Sequence, residues 1–223
     1  MIVETHRNYR LGFAQCLTTE DRDQLIDHLQ QPASVAANPL QGRAQVDFMT
    51  LPSWGAIVVK PYMRGGLMRH VSRRHHLRSN RSRGESEFRI LQSLRQEGLP
   101  VPEPIGWAEH GQLWVKTWLF IAEIPRSQTL AAIARTDAEQ AATHLASVRQ
   151  WIDRLVDLKI HHVDLHPGNV LVDDQNKVFL IDFDKASPSS DSSQVLRDRH
   201  HRRWNRALAK HGLPACLTLS LLS

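Results

Sequence analysis

Between Thr19 and Gln30 the apolar residues Leu25, Ile26 and Leu29 recur on one face of a 3.6-residue repeat. That period predicts a helix, opened by Thr19 as its cap. The period then shortens. Gln45 to Thr50 and Gly55 to Val59 read as strands, and Ala56-Ile57-Val58-Val59 is an apolar run of the buried-strand type that stops at Lys60-Pro61. From Gly84 to Glu97 the helical period returns, with Phe88, Leu91 and Leu94 (and Ile90) as its stripe and Gly98 as its stop. Val101-Pro102-Glu103-Pro104 is an extended connector, because two prolines restrict the residues before them. Leu113 to Ile121 is apolar and aromatic and predicts one or two strands, and Pro125 marks a break.

Beyond Pro125 the composition is helical. Thr136-Asp137-Ala138-Glu139 has the spacing of a capping box. It predicts one long helix to about Leu158, with Leu145, Val148, Ile152 and Leu155 on one face. Val170–Val172 and Val178–Ile181 are short strands joined by the turn Asp173 to Asn176. Ser187 to Ser193 is a polar linker. The order of elements predicts an α+β chain with a β-rich N-terminal lobe (1–122) and a helical C-terminal lobe (123–223), joined near Glu123 to Pro125.

Length and composition narrow this picture only slightly. The 223 residues suit one domain or two small lobes sharing a cleft, and 41% hydrophobic residues suffice for a packed core. Cys16 and Cys216 lie near opposite ends, outside any zinc-type spacing, which fits a reducing compartment. The N-terminus lacks an apolar signal-like segment, and no run approaches the ~18 apolar residues that span a bilayer. The expectation is a protein that is soluble or held only at a membrane surface.

Charge changes the picture more. The formal net charge is +5, and it is concentrated. Between Lys60 and Gly84 there are eight Lys and Arg residues, with His70, His75 and His76 among them and no acid. A second basic run is Arg197 to Trp204. Such fields attract nucleic acid, anionic lipid head groups or phosphorylated glycans, and equally describe a solvated basic loop. Aromatic residues for base stacking are not interleaved between Arg64 and Arg83, so no nucleic-acid partner is expected.

The candidate chemistry lies in HHVDLHPGNVLVDDQNKVFLIDFDKA, His161 to Ala186. Asn169 follows Asp164 by five positions, and Asp182 follows it by eighteen, after the predicted hairpin. His162-Val163-Asp164-Leu165-His166-Pro167-Gly168-Asn169 resembles the catalytic loop of protein kinases, H-R-D-L-x-x-x-N, and Asp182-Phe183-Asp184 stands where D-F-G would. Upstream, Lys60 ends an apolar strand as in V-A-I-K, and Glu87 lies on the next helix, with Glu85 as a near competitor. Singly, each residue has a bland reading: Asp164 and Asn169 as turn formers, Asp182 as a strand-end acid, Lys60 as a surface lysine. Phosphoryl transfer needs this whole set, namely a carboxylate for the attacking hydroxyl, oxygen ligands for a metal ion and a cation for the phosphates. His162 is read as a brace of the loop from inside, and His166 as a structural loop residue.

The chain is short for a eukaryotic-type kinase, and no A-P-E element follows Asp182. Tyr62-Met63-Arg64-Gly65-Gly66-Leu67, Glu87-Phe88 with Gly98-Leu99-Pro100-Val101-Pro102-Glu103-Pro104, and Ile181-Asp182-Phe183-Asp184 resemble the lipopolysaccharide-core kinases, most closely the 3-deoxy-D-manno-octulosonic acid (Kdo) kinase family. The likeness runs from about Gly42 to Trp204. It implies a protein-kinase-like two-lobed fold that transfers the γ-phosphate of ATP, with Mg²⁺, to a Kdo hydroxyl of the lipid A precursor. The implied location is the cytoplasmic side of the bacterial inner membrane. The alternative is another small bacterial kinase of this fold, with a heptose, small-molecule or protein acceptor.

In this reading Asp164 is the catalytic base, Asn169 and Asp182 are metal ligands, and Lys60 contacts phosphate, oriented by Glu87. Gly42 and Arg43 cover the phosphates, with one glycine in place of G-x-G-x-x-G. Arg64, Arg69 and Arg73 face the phosphorylated glycolipid and the anionic membrane surface. Asp184 replaces the glycine of D-F-G and has no role assigned by the resemblance.

Overall fold

A computed structural model describes residues 1–31, 46–62, 76–77, 81–112 and 114–220, which form two compact units. The first comprises Met1–Gln92 and Glu103–Glu123, the second Ser93–Pro102 and Ile124–Ser223. The predicted Gly42, Arg43, Arg64, Arg69 and Arg73 lie outside the described residues.

The first unit is an antiparallel sheet with two helices. Its elements are β1 (Ile2–His6), β2 (Tyr9–Phe13), α1 (Thr19–Gln30), β3 (Asp47–Leu51), β4 (Gly55–Pro61), β5 (His76–Leu77), most of α2 (Arg83–Gln96), β6 (Pro104–His110) and β7 (Trp114–Ala122). The strand order is β1-β2-β6-β7-β4-β3, with β5 on β7. Alternation in β2 points Tyr9, Leu11 and Phe13 into a buried cluster with Leu25 and Ile26 of α1, Ile57 and Val59 of β4, and Phe120 of β7. Gly12, which faces the opposite way, lets the Trp107 indole lie flat on the sheet, since an added Cβ would sit 2.3 Å from that ring.

The β1–β2 hairpin and β6 were not foreseen. Arg7 and Asn8 turn the hairpin with positive φ (46° and 67°), a conformation that sequence signals without glycine conceal. Pro104, taken for part of a connector, is the first residue of β6, where its missing N–H costs least. The helix predicted over Thr19 to Gln30 is present, but its cap is Thr18, whose side chain accepts from the Asp21 N–H while Asp21 reaches back to the Thr18 N–H. Gln45, the first residue of the strand predicted to Thr50, lies outside the described residues, and β3 runs one residue further, to Leu51. Leu113 to Ile121 resolves into the single strand β7, displaced by one residue.

The second unit contains β8 (Gln128–Thr129), α3 (Leu130–Thr136), α4 (Ala138–Thr143), α5 (Leu145–Asp157), β9 (Ile160–His161), β10 (Val170–Val172), β11 (Val178–Leu180), β12 (Ser187–Pro188) and α6 (Ser193–His211). The long helix predicted from Thr136 is two helices. Asp137, rather than Thr136, caps α4 by accepting from the Gln140 N–H. At His144 the backbone tightens, its N–H bonding the Ala141 carbonyl three residues back, and α5 starts afresh. The apolar face predicted for that segment is the buried face of α5, with Val148, Ile152 and Leu155 fully covered. The segment read as a polar linker is ordered: β12 pairs with β9, and Ser192 caps α6. The basic run Arg197 to Trp204 is the middle of α6, and Gly212 ends that helix in the left-handed conformation. Among the described residues no helix is long and apolar enough to cross a membrane.

Candidate active site

In the first unit, β4 delivers Lys60 and α2 delivers Glu87. The Lys60 ammonium donates to both carboxylate oxygens, at 3.0 and 2.9 Å. The Lys60 side chain is only 11% exposed and that of Glu87 2%, so neither charge could stand there alone. The Tyr62 hydroxyl donates a very short bond to the same carboxylate, and the cations of Lys60 and Arg83 both stand over its ring. Glu85, the competitor for this role, is turned elsewhere. It accepts from Arg89 at 2.9 and 2.8 Å and lies 3.5 Å from Arg10. Helical geometry separates the two acids, because residues two apart do not share a face.

In the second unit, the loop after β9 carries Asp164 and ends in a short 3₁₀ turn, Pro167–Asn169. His166 caps that turn, its Nδ1 accepting the Gly168 N–H at 3.0 Å, which leaves the proton on Nε2, a nitrogen 3.8 Å from Asp164 Oδ1. Asn169 closes the loop twice. Its side-chain NH₂ donates to the Asp164 carbonyl at 2.9 Å, and its own carbonyl accepts the Ile181 N–H at 3.0 Å. The β10–β11 hairpin thus returns the chain so that Asp182 follows directly on a residue bonded to Asn169. Asp182 sits at φ 64°, a conformation costly for a non-glycine residue and characteristic of functional positions.

Two buried histidines hold this loop from below. The His162 Nε2–H donates to the Ile181 carbonyl at 3.0 Å, and the His162 backbone N–H donates to His200 Nε2 of α6 at 3.1 Å. Burial pulls the His162 imidazole down to about 4 and that of His200 down to about 3, so both are neutral and their tautomers are fixed by these bonds. The expected bracing by His162 is therefore present, and α6 supplies its other end. Phe183 is buried against the His162 ring.

One partner of Asp164 was not anticipated. Arg203 of α6 donates a very short bond to its Oδ1. The run Arg197 to Trp204 drew notice only as surface charge. Only helical phase shows that Arg203 falls on the face toward the loop while Trp204, next to it, is buried. Tyr62 and His200 were missed for the same reason, since their partners are remote in sequence.

The donor set fits a hard divalent cation. Asn169 has its NH₂ committed to a carbonyl, which leaves the amide oxygen as the available ligand atom, and Asp182 adds a carboxylate. A lysine–glutamate pair on a β-rich unit and an Asp–Asn loop followed by Asp-Phe-Asp on a helical unit define a kinase of the protein-kinase-like class. Similarity to known proteins defines a narrower family. The model of the lipopolysaccharide kinase (Kdo/WaaP) family matches residues 27–214, and the chain belongs to that family. A protein named 3-deoxy-D-manno-octulosonic acid kinase from Vibrio vulnificus (strain YJ016) is 30% identical over 177 residues, covering 77% of this chain and 74% of the relative. Its namesake from Vibrio cholerae serotype O1 is 29% identical over 213 residues, 92% of this chain and 88% of the relative. That from Mannheimia succiniciproducens is 35% identical over 156 residues, 66% of this chain and 64% of the relative.

Proposed function

We propose that this kinase transfers the γ-phosphate of ATP to a hydroxyl of the Kdo sugar on a lipid A precursor, working with Mg²⁺ at the cytoplasmic face of the bacterial inner membrane. The observation that carries the reading is the double closure by Asn169, which ties the Asp164 loop to the strand end that bears Asp182.

Asp164 takes the proton of the attacking hydroxyl as the new P–O bond forms and ADP departs. Lys60, held by Glu87, contacts the α- and β-phosphates. Asn169 and Asp182 would hold the metal ion, which would supply neutralisation of the phosphate charge. Arg43 beside Gly42 covers the phosphates. Arg64, Arg69 and Arg73 draw the anionic acceptor and the membrane surface, Arg being suited to phosphate geometry.

The test is purified protein with Mg·ATP and a Kdo-bearing lipid A precursor, following phosphate incorporation, with Asp164→Ala as control. Transfer that disappears in the variant is expected. Transfer to a heptose, a small sugar or a protein but not to this lipid would remove the acceptor and keep the kinase. ATP-independent, salt-sensitive RNA binding without turnover would overturn both.

A further inference from the structure

A groove of about 940 Å³ runs along α6 beside the loop after β9, lined by His161, Arg199, Arg202, Arg203 and Arg206 and by apolar side chains that include Val163 and Val195. Its size is that of a small-ligand site. The four arginines share one face because their spacings of three, one and three residues follow the helical repeat. Two of them are neutralised: Arg199 pairs with Asp191 at 2.6 Å, and Arg203 pairs with Asp164. The other two are not. Arg202 and Arg206 each spend one N–H on the helix carbonyl four residues back, Asp198 at 3.2 Å and Arg202 at 3.3 Å. Neither has a carboxylate partner among the described residues.

Two like charges at an i, i+4 spacing destabilise a helix, so this pair is kept at a cost. His161 adds no positive charge, since burial and the neighbouring Arg199 favour its neutral form. The groove is therefore a cationic trough whose bidentate-capable guanidiniums match a phosphate. It reaches the catalytic loop at Val163, next to Asp164, and again through Arg203.

We propose that this groove is an acceptor subsite: Arg202 and Arg206 bind a phosphomonoester that the glycolipid already carries, and so bring its hydroxyl to Asp164. The proposal rests on the kinase reading above, and names a recognition element for it.

The experiment measures binding without ATP, by titration calorimetry. The probes are the Kdo-bearing lipid A precursor and the same lipid after phosphatase treatment, against wild type, R202Q/R206Q and R202K/R206K. The wild type should prefer the phosphorylated lipid by about tenfold or more, the scale of one charge-assisted contact. R202Q/R206Q should bind both forms alike, at the wild-type level for the treated lipid, and the lysine pair should fall between. A preference that survives in R202Q/R206Q, or a wild type without one, overturns the subsite. So does a variant that weakens equally for both lipids and also loses phosphatidylglycerol vesicles in sedimentation, which would make the arginines a membrane contact. If the preference disappears in R202Q/R206Q yet the wild type transfers no phosphate to this lipid, the subsite stands and the Kdo-kinase reading falls.

Discussion

The guanidinium of Arg203 and the carboxylate of Asp164 form an ion pair across 39 positions of sequence, tying the middle of α6 to the loop after β9. In the proposed reaction Asp164 meets a substrate hydroxyl at hydrogen-bond range, a task that needs a fixed orientation, and Arg203 holds that carboxylate.

Arg203→Ala should therefore lower kcat by roughly 10- to 100-fold, the usual cost of losing a group that orients a reacting side chain. KM for ATP should stay near the wild-type value, and Arg203→Lys should recover part of the loss. Steady-state kinetics separate the two parameters. Equal kcat in Arg203→Ala would show that the pair has no part in the reaction.

Glu87 and Glu85 sit two residues apart on α2 and should fail differently. Glu87→Gln weakens the anchor of Lys60 and should raise KM for ATP by about tenfold, one lost charge-assisted contact being worth roughly 1.5–3 kcal/mol. Glu85→Gln leaves Arg10 and Arg89 without that carboxylate and should lower the melting temperature, with KM for ATP retained. The reverse pattern would exchange the roles given to the two acids.

Stability should depend on pH through the two buried rings. His162 and His200 ionise near 4 and 3 when folded, and near 6.5 when unfolded, so the unfolded chain binds more protons in between. Their contribution is complete above about pH 6.5 and is lost as the pH falls toward the folded values. Each ring adds a slope of up to about 1.4 kcal/mol per pH unit. Urea denaturation at pH 7.5, 6.5, 5.8 and 5.0 reads this directly. His200→Gln, whose amide oxygen can take the His162 N–H, should flatten the slope by one proton. A stability independent of pH from 7 to 5 would contradict it.

Gly106→Ala tests the packing of the first unit. An added Cβ would lie 2.3 Å from the Phe13 ring and 2.5 Å from the Gly12 carbonyl, and backbone cannot yield as a flexible side chain can. The expected loss is about 1–3 kcal/mol or more, as for other overpacked sites. Thermal unfolding followed by circular dichroism measures it, and an unchanged melting temperature would mean that the sheet opens there without cost.

Local chemistry along the chain is enough to set most of the regular elements. Apolar period and capping residues placed α1, α2, β4 and the β10–β11 hairpin within one or two positions. The spacing of Asp164, Asn169 and Asp182, with Lys60 and Glu87 upstream, drew out the candidate site, because those residue types have few other uses in that order, and the motifs Tyr62 to Leu67 and Ile181 to Asp184 pointed to the family. The limits came where a signal is shared. Asp137 and Thr136 both offer a cap, and only the bond to Gln140 decides between them. A hairpin turned on Arg7 and Asn8 carries no glycine to announce it.

The partners of these residues follow from packing. Whether Glu87 or Glu85 meets Lys60 depends on the phase of α2 against the sheet. A run of arginines near the C-terminus becomes a brace for Asp164 and a cationic trough only because α6 lies along the catalytic loop, with His200 and Trp204 buried and Arg202 and Arg206 exposed. Contacts between residues dozens of positions apart arise from packing of faces, and no local pattern encodes which faces will meet.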